Sequence, residues 1–261
     1  MKICIENCSS PGASFTNNTN EVVEHIYDWI IEKNYPKLMF IDFRKNLQRD
    51  KKINDNNARN IYPLLKKCGF IVYEKSEELD TSSFFTNYGL AYIKLIKTKK
   101  LVETNKNDFN NWLKVIEKLN ESIQDLVYIG LDNLLKAESN YSLYLKSVIK
   151  YICLYGKINK YEYAYLLYFL KDKDSDLKDM NDIVQDYRNG NITFDISVTV
   201  RNDIQIREKT NTEKRDEGLG FLTSYSFFSS LLSQSGVVVK TKEYFVMNPE
   251  KKEKLLKLLE N

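Results

Sequence analysis

Two stretches of this 261-residue chain repeat one another in order and spacing, and that repetition constrains the fold more than any other feature. "YPLLKKCGFIVYE", residues 62–74, and "SSLLSQSGVVVKT", residues 229–241, each run through a Leu-Leu pair, three residues, a glycine and an apolar strand start. Downstream, "SSFFTNYGLAYIKLIK" and "KEYFVMNPEKKEKLLKLL" each give a short aromatic strand running into a helix, with the shorter loop in the second copy. Glycine is a favoured residue just past a helix C-terminus because it adopts the left-handed conformation that closes the last turn. Such a repeated order predicts two copies of one folding unit.

The residues ahead of the first phrase complete that unit. In "NEVVEHIYDWIIEKN", Val22, Val23, Ile26, Trp29 and Ile30 fall on one side at helical spacing, and Asn20 is a suitable cap. "YPKLMFIDFRKNL" predicts a second helix with Leu38, Ile41 and Leu47 as anchors and Pro36 in its first turn. A third follows, with Ala58, Ile61, Leu64, Leu65 and Cys68 on its apolar face. Pro63 removes a backbone donor, so its regular part is expected to start near Arg59 or Asn60. "FIVYE" and "SSFFT" then read as two strands around a polar linker, and "TNYGLAYIKLIKT" as a helix. Three helices followed by a two-stranded hairpin form a winged helix-turn-helix, whose third helix enters the DNA major groove.

The expected fold is therefore mainly α with short β-hairpins, built as two winged helix-turn-helix units joined by helices. Residues 1–19 read as an N-terminal arm, 20–104 as the first unit, 105–139 as a connecting helical segment and 140–261 as the second unit. Within the last, the charged stretch "KDKDSDLKDMNDIVQDYRNG" and the strand-like "ITFDISVTV" mark an insertion at about 171–222.

Charge decides where a partner could sit. The chain carries 39 Lys and Arg against 36 Asp and Glu, net +3, so a nucleic-acid surface has to come from local clustering. From Pro36 to Lys67 there are nine Lys or Arg against three Asp. Neutralising phosphates calls for that kind of excess. Arg44, Lys45, Arg49, Lys51 and Lys52 are the candidates for backbone contacts, and Asn56, Asn57, Arg59 and Asn60 for base readout, since Arg suits guanine and Asn adenine. In the second unit Ser224, Tyr225, Ser226 and Ser229 take the comparable place, with Lys240 and Lys242 on the wing. A solvated basic face in a Lys-rich chain is the bland alternative.

Signs of catalysis are weak. "DKK" (Asp50 to Lys52), "DLK" (Asp176 to Lys178) and "EKK" (Glu250 to Lys252) fit half of the acid-x-Lys pattern of Mg²⁺-dependent nucleases, but in stretches that read as helix or loop. Asp195 is the most strand-like acid, and its downstream partner "REK" (Arg207 to Lys209) lacks the spacing. No catalytic residue is assigned. Cys4, Cys8, Cys68 and Cys153 are scattered and offer no set of about four zinc ligands, so reduced thiols of a cytoplasmic protein are expected, with no metal or cofactor in this chain. His25 reads as a packed or half-exposed residue, and Trp29 and Trp112 as core. Nine glycines form no phosphate-binding loop, and no window approaches the roughly eighteen apolar residues of a membrane span.

The combination of "NARNIYPLLKKCGFI", "TNYGLAYIKLI", "IKYICLYGKINKYEYAYLLYFL" and "SSLLSQSGVVV" with "EYFVMN" resembles the DNA-recognition portion of AlwI-type restriction endonucleases and related nicking enzymes. That resemblance implies tandem winged-helix specificity domains ahead of a separate Mg²⁺-dependent nuclease domain, for which this chain has no counterpart. The expected function is sequence-specific binding of double-stranded DNA as a recognition module of a restriction-type endonuclease, with a separate nuclease subunit as a candidate partner and Mg²⁺ needed only where nuclease activity is present. The alternatives are a complete small Mg²⁺-dependent endonuclease, a winged-helix transcriptional regulator, or a protein-interaction module.

Overall fold

A computed structural model describes residues 1–6, 14–51, 53, 55–105, 109–137, 140–169, 176–199, 206–208 and 223–259. The chain is mainly helical, with three small sheets among these residues. It divides into two compact units, Pro11–Ala137 and a second made of Met1–Ser10 with Glu138–Asn261. Among the described residues no helix is long and apolar enough to cross a membrane.

In the Pro11–Ala137 unit, helix α1 (Asn17–Glu32) is capped by Thr16, whose Oγ1 accepts the Thr19 N–H, and not by Asn20, which lies inside the helix. The face read from its periodicity, Val22, Val23, Ile26, Trp29 and Ile30, is buried. His25 is exposed. The chain leaves α1 through Asn34 and Tyr35, both at φ 56°, and Pro36 then leads into a strand, β2 (Lys37–Met39), where a helix start was expected. Helix α2 (Phe40–Lys51) follows, and its buried face is Phe40, Phe43 and Leu47. Ile41, expected as an anchor, is 57% exposed.

Helix α3 (Asp55–Lys67) starts earlier than its proline suggests and continues through Pro63. The ring removes one backbone donor, and the complete burial of Ile61, Leu64 and Leu65 around it holds the helix together regardless. After Gly69 the expected two-stranded hairpin is only partly formed. Ile71 and Phe85 make an isolated bridge, the Val72 N–H donates to Phe84 O (2.8 Å), and β3 (Glu78–Asp80) pairs antiparallel with β2, while Thr81–Ser83 form a single tight turn. Helix α4 (Asn87–Thr104) begins at the Thr86 cap. Helix α5 (Phe109–Lys136) packs on α3 and α4, so 105–139, expected as a connector, contributes most of its length to this unit. Trp112 is half-buried, its indole N–H donating to Val102 O (2.7 Å).

The other unit opens with β1 (Lys2–Glu6), not with an arm. Its core elements are α6 (Asn140–Tyr155), β4 (Lys157–Ile158), α7 (Lys160–Phe169) and α8 (Leu177–Arg188). Strands β5 (Asp195–Thr199) and β6 (Ile206–Glu208) come next, then α9 (Thr223–Gln234), β7 (Val238–Lys240), β8 (Phe245–Met247) and α10 (Pro249–Leu259). Strand β1 pairs parallel with β5, which pairs antiparallel with β6. The second sheet is antiparallel in the order β4-β8-β7, so the strand after α6 pairs with the last strand of the chain. Gly156, at φ 82°, makes the tight passage from α6 to β4, and its carbonyl accepts the Met247 N–H (2.7 Å). Leu145, Val148 and Ile149 of α6, Leu166 of α7, and Leu231 of α9 supply buried side chains to the core.

Candidate nucleic-acid interface

The two repeated phrases fold into the same hydrogen-bonded device. After α3, the Gly69 N–H donates to Lys66 O (3.0 Å) and the Phe70 N–H to Leu65 O (2.8 Å). After α9, the Gly236 N–H donates to Ser233 O (3.1 Å) and the Val237 N–H to Leu232 O (3.0 Å). Both glycines have positive φ, 74° and 71°, and each set is a Schellman closure with buried apolar residues on both sides of it. The correspondence reaches the next helix. Thr86 caps α4 while its Oγ1 donates to Gly69 O (2.7 Å) and its N–H to Phe70 O (3.1 Å). Asn248 precedes α10, its side-chain amide donating to Gly236 O (2.9 Å) and its N–H to Val237 O (2.9 Å). In each case one polar residue ties the second strand's end to the carbonyls of the closing glycine and of the residue after it.

The candidate contact residues of the first unit are spread unevenly. Lys52 lies outside the described residues, as do the side chains of Asn56, Asn57 and Arg59 on α3. Asn60 is exposed. Arg44 is half-buried beside Phe40, Tyr62 and Tyr73 around a cavity of about 250 Å³. The remaining basic candidates have acidic neighbours: Lys45 with Asp42 (3.8 Å), Arg49 with Asp50 (2.8 Å) and Lys51 with Glu32 (2.5 Å). Lys37 and Lys66 likewise meet Asp80 (3.3 Å) and Glu74 (2.5 Å). Since Glu32, Glu74 and Asp80 lie outside the Pro36 to Lys67 stretch, its excess of six positive charges falls to three. Asp50 also accepts from the Trp29 indole (3.0 Å) and faces Lys33. The Arg49 hydrogen bond, then those from Trp29 and Lys33, hold its carboxyl well below the usual range.

In the second unit α9 faces a cavity of about 920 Å³. The start of α7, the end of α8 and the β7–β8 turn complete its walls. Ser226 is exposed. Ser229 is buried, and its hydroxyl turns back to Ser226 O (3.3 Å), which removes it from the set available for readout. Tyr225 is half-buried against Tyr163 (5.1 Å between ring centroids) and Phe245 (5.8 Å), and desolvation pushes its phenol above the ordinary value. The side chain of Ser224 is outside the described residues. Lys240 and Lys242 are exposed on the rim.

Two features missed in the sequence fix this cavity's shape. Asn159 and Glu162 form a capping box at α7: Asn159 Oδ1 accepts the Tyr161 and Glu162 N–H groups (2.9 Å each), and Glu162 Oε2 accepts the Asn159 N–H (3.0 Å). The Asn-x-x-Glu spacing in "INKYE" was the available signal. Glu162, whose side chain is 0% exposed, is also held bidentately by Arg188 from α8 (2.7 and 2.9 Å), and Arg188 donates to Lys157 O (3.1 Å). The Glu162 hydrogen bond raises the Arg188 pKa further. Tyr244 lies in the β7–β8 turn with Lys157 Nζ 4.3 Å and the Arg188 guanidinium 5.7 Å from its ring centre. Thr241 closes that turn, its N–H donating to Tyr244 O (2.8 Å) and its Oγ1 accepting the Tyr244 N–H (3.0 Å). Helix α8 thus braces both the start of α7 and the turn.

The acids considered for metal chemistry are dispersed. Asp176 caps α8, Glu250 sits in the first turn of α10, Asp50 ends α2, and Asp195 opens β5. Among the described residues no group of three His, Cys, Asp or Glu is arranged to hold a metal ion. Cys68 and Cys153 are buried free thiols, pushed up by desolvation to about 12 and about 11, while Cys4 and Cys8 have no described side chains. No protein-family model, no curated protein and no solved structure matches this chain.

Proposed function

We propose that the chain binds double-stranded DNA through two winged helix-turn-helix units, with α3 and α9 as the helices presented to the groove. The observation that carries the reading is the shared device around Gly69 and Gly236. A helix ends in a Schellman closure, a strand follows, and a capping residue at the end of the next strand bonds back to the carbonyls of the closing glycine and of the residue after it. In the second unit the order α6, β4, α7, α9, β7, β8, with sheet order β4-β8-β7, also follows the helix, strand, helix, helix, strand, strand plan of that fold once α8, β5 and β6 are set aside as an insertion. Exposed Asn60 and Ser226 keep the two helices open to a partner, and Lys240 and Lys242 supply cations beside α9. The same reading makes the chain the recognition part of a restriction-type system, in line with its resemblance to AlwI-type enzymes, working with a separate Mg²⁺-dependent nuclease.

Selection from a pool of random duplexes, followed by fluorescence anisotropy, tests this. A recovered consensus bound more tightly than the pool is expected. Replacing Lys240 and Lys242 together by Ala should weaken binding to every duplex and flatten the log–log salt slope by about 1.8, two phosphate contacts at about 0.9 each. Arg59→Ala and Asn60→Ala should instead reduce discrimination, by about 1–3 kcal/mol per bidentate base contact. An unselected pool, with salt dependence unchanged in the lysine variant, would overturn the assignment.

A further inference from the structure

We infer that the cavity beside α9 receives one unstacked nucleotide of a DNA strand, its base against the tyrosines of the wall and its phosphate against the lysines of the rim. The inference rests on the nucleic-acid reading above and goes beyond it, because regular duplex recognition leaves every base in the stack. At about 920 Å³ the cavity lies within the size range of pockets that take small organic ligands, about 300–1,000 Å³. Four of its lining residues, Tyr161, Tyr187, Tyr225 and Tyr244, are half-buried tyrosines drawn from four different segments. Tyrosine stacks on any base face, whereas a site built only for phosphates needs no aromatic rings.

These rings are held in place before any ligand arrives. Tyr187 stacks on Phe194 at 4.4 Å and 11°, and Phe194 in turn stacks on Tyr165 at 5.0 Å and 1°. Tyr161 lies 6.3 Å from Tyr187, and Tyr225 is fixed by Tyr163 and Phe245. Rings immobilised in the free protein lose little rotamer freedom on binding. The Arg188–Glu162 pair compensates its own charges; Lys240 and Lys242, neither in an ion pair among the described residues, stand on the rim with Lys160 and one acid, Glu243, and supply the cations for a phosphate. Gln234 also lines the cavity, and its buried Oε1 has no hydrogen-bond partner among the described residues; an acceptor of that kind suits the amino or imino group of a base.

The test uses the full chain and three labelled DNAs: a single-stranded thymidine 12-mer, a blunt duplex of mixed sequence, and the same duplex with one mispaired thymine. Each is made in a second form with 5-iodouracil replacing a thymine, for photo-crosslinking and peptide mapping. The expected result is a crosslink from the single strand, and from the mispaired position, to one of the four cavity tyrosines. Tyr161→Ala should lower single-strand affinity about tenfold, the size of one lost base–aromatic stack, and Tyr161→Phe should restore it. Crosslinks mapping away from the cavity, or equal single-strand affinity for Tyr161→Ala and wild type, overturn the inference. Duplex binding without single-strand binding removes the inference and leaves the winged-helix reading standing. Single-strand binding in the cavity without duplex binding does the reverse, and a crosslink confined to the mispaired duplex identifies an extruded base as the source.

Discussion

The two units share a closure around one glycine each and place their charge in opposite parts of it. In the Pro11–Ala137 unit α2, α3 and α4 carry a positive excess while α1 is acidic, and the stretch after α3 exposes Glu74, Glu77 and Glu78 against Lys75. In the other unit the corresponding turn carries Lys240 and Lys242, and α9 offers serines and a tyrosine with no charge between Thr223 and Gln234. A shared backbone therefore does not fix which part of a unit attracts a polyanion. On the proposed DNA-binding reading, steering in the first unit would come from α2 and α3 against an acidic loop, and in the second from the turn itself. The brace differs as well, since a buried Arg–Glu pair supports the second unit and the first relies on aromatic packing such as Phe40 stacked on Tyr73 at 4.2 Å.

That last difference offers the largest effect. Arg188→Met strands a Glu that is 0% exposed, so the second unit should lose about 3–5 kcal/mol in denaturant unfolding followed by circular dichroism. Fluorescence from Trp29 and Trp112, both in the first unit, should report a much smaller change. The likeness of the two closures is sharpened by Leu64→Ala and Leu231→Ala, two fully buried leucines at matching positions. Each should cost about 3 kcal/mol, and a difference beyond about 2 kcal/mol would break the equivalence.

Charge placement is probed by Glu77→Lys with Glu78→Lys. Giving the first unit a basic loop should raise duplex affinity about tenfold and steepen the salt slope by up to about 1.8, measured by anisotropy. The smallest effect concerns Asp50. Its carboxyl titrates below the unfolded value of about 3.9, so its contribution is complete above that pH and disappears as the pH falls through the lower folded value. Below about pH 4 the melting temperature followed by tryptophan fluorescence should fall less steeply in Asp50→Asn than in wild type.

Local patterns made the helices legible. Val22 to Ile30 and Ile61, Leu64, Leu65 and Cys68 lie at helical spacing, and Gly69 and Gly236 mark helix ends through a backbone conformation few other residues adopt. Segments whose conformation depends on a remote partner were not legible. Leu38 is a strand residue because it pairs with Leu79, 41 positions along the chain, and Pro63 remains helical because Leu64 and Leu65 are buried around it. The charge count failed for a related reason, since Glu32, Glu74 and Asp80 reach the basic stretch from outside it. The Tyr-lined cavity draws on residues from Asn159 to Phe245, and nothing in the sequence brings those segments together.

Strand β1 sets a condition on how the molecule is made. Lys2 to Glu6 pair in parallel with Asp195 to Thr199, and the Met1 amine donates to Thr193 O (2.7 Å). The whole Pro11–Ala137 unit is thereby spliced into the other at two connections. On a ribosome adding about 5–20 residues each second, the first strand waits about ten to forty seconds for its mate. The intervening unit has that interval to fold alone, while its host stays open until synthesis has passed residue 199.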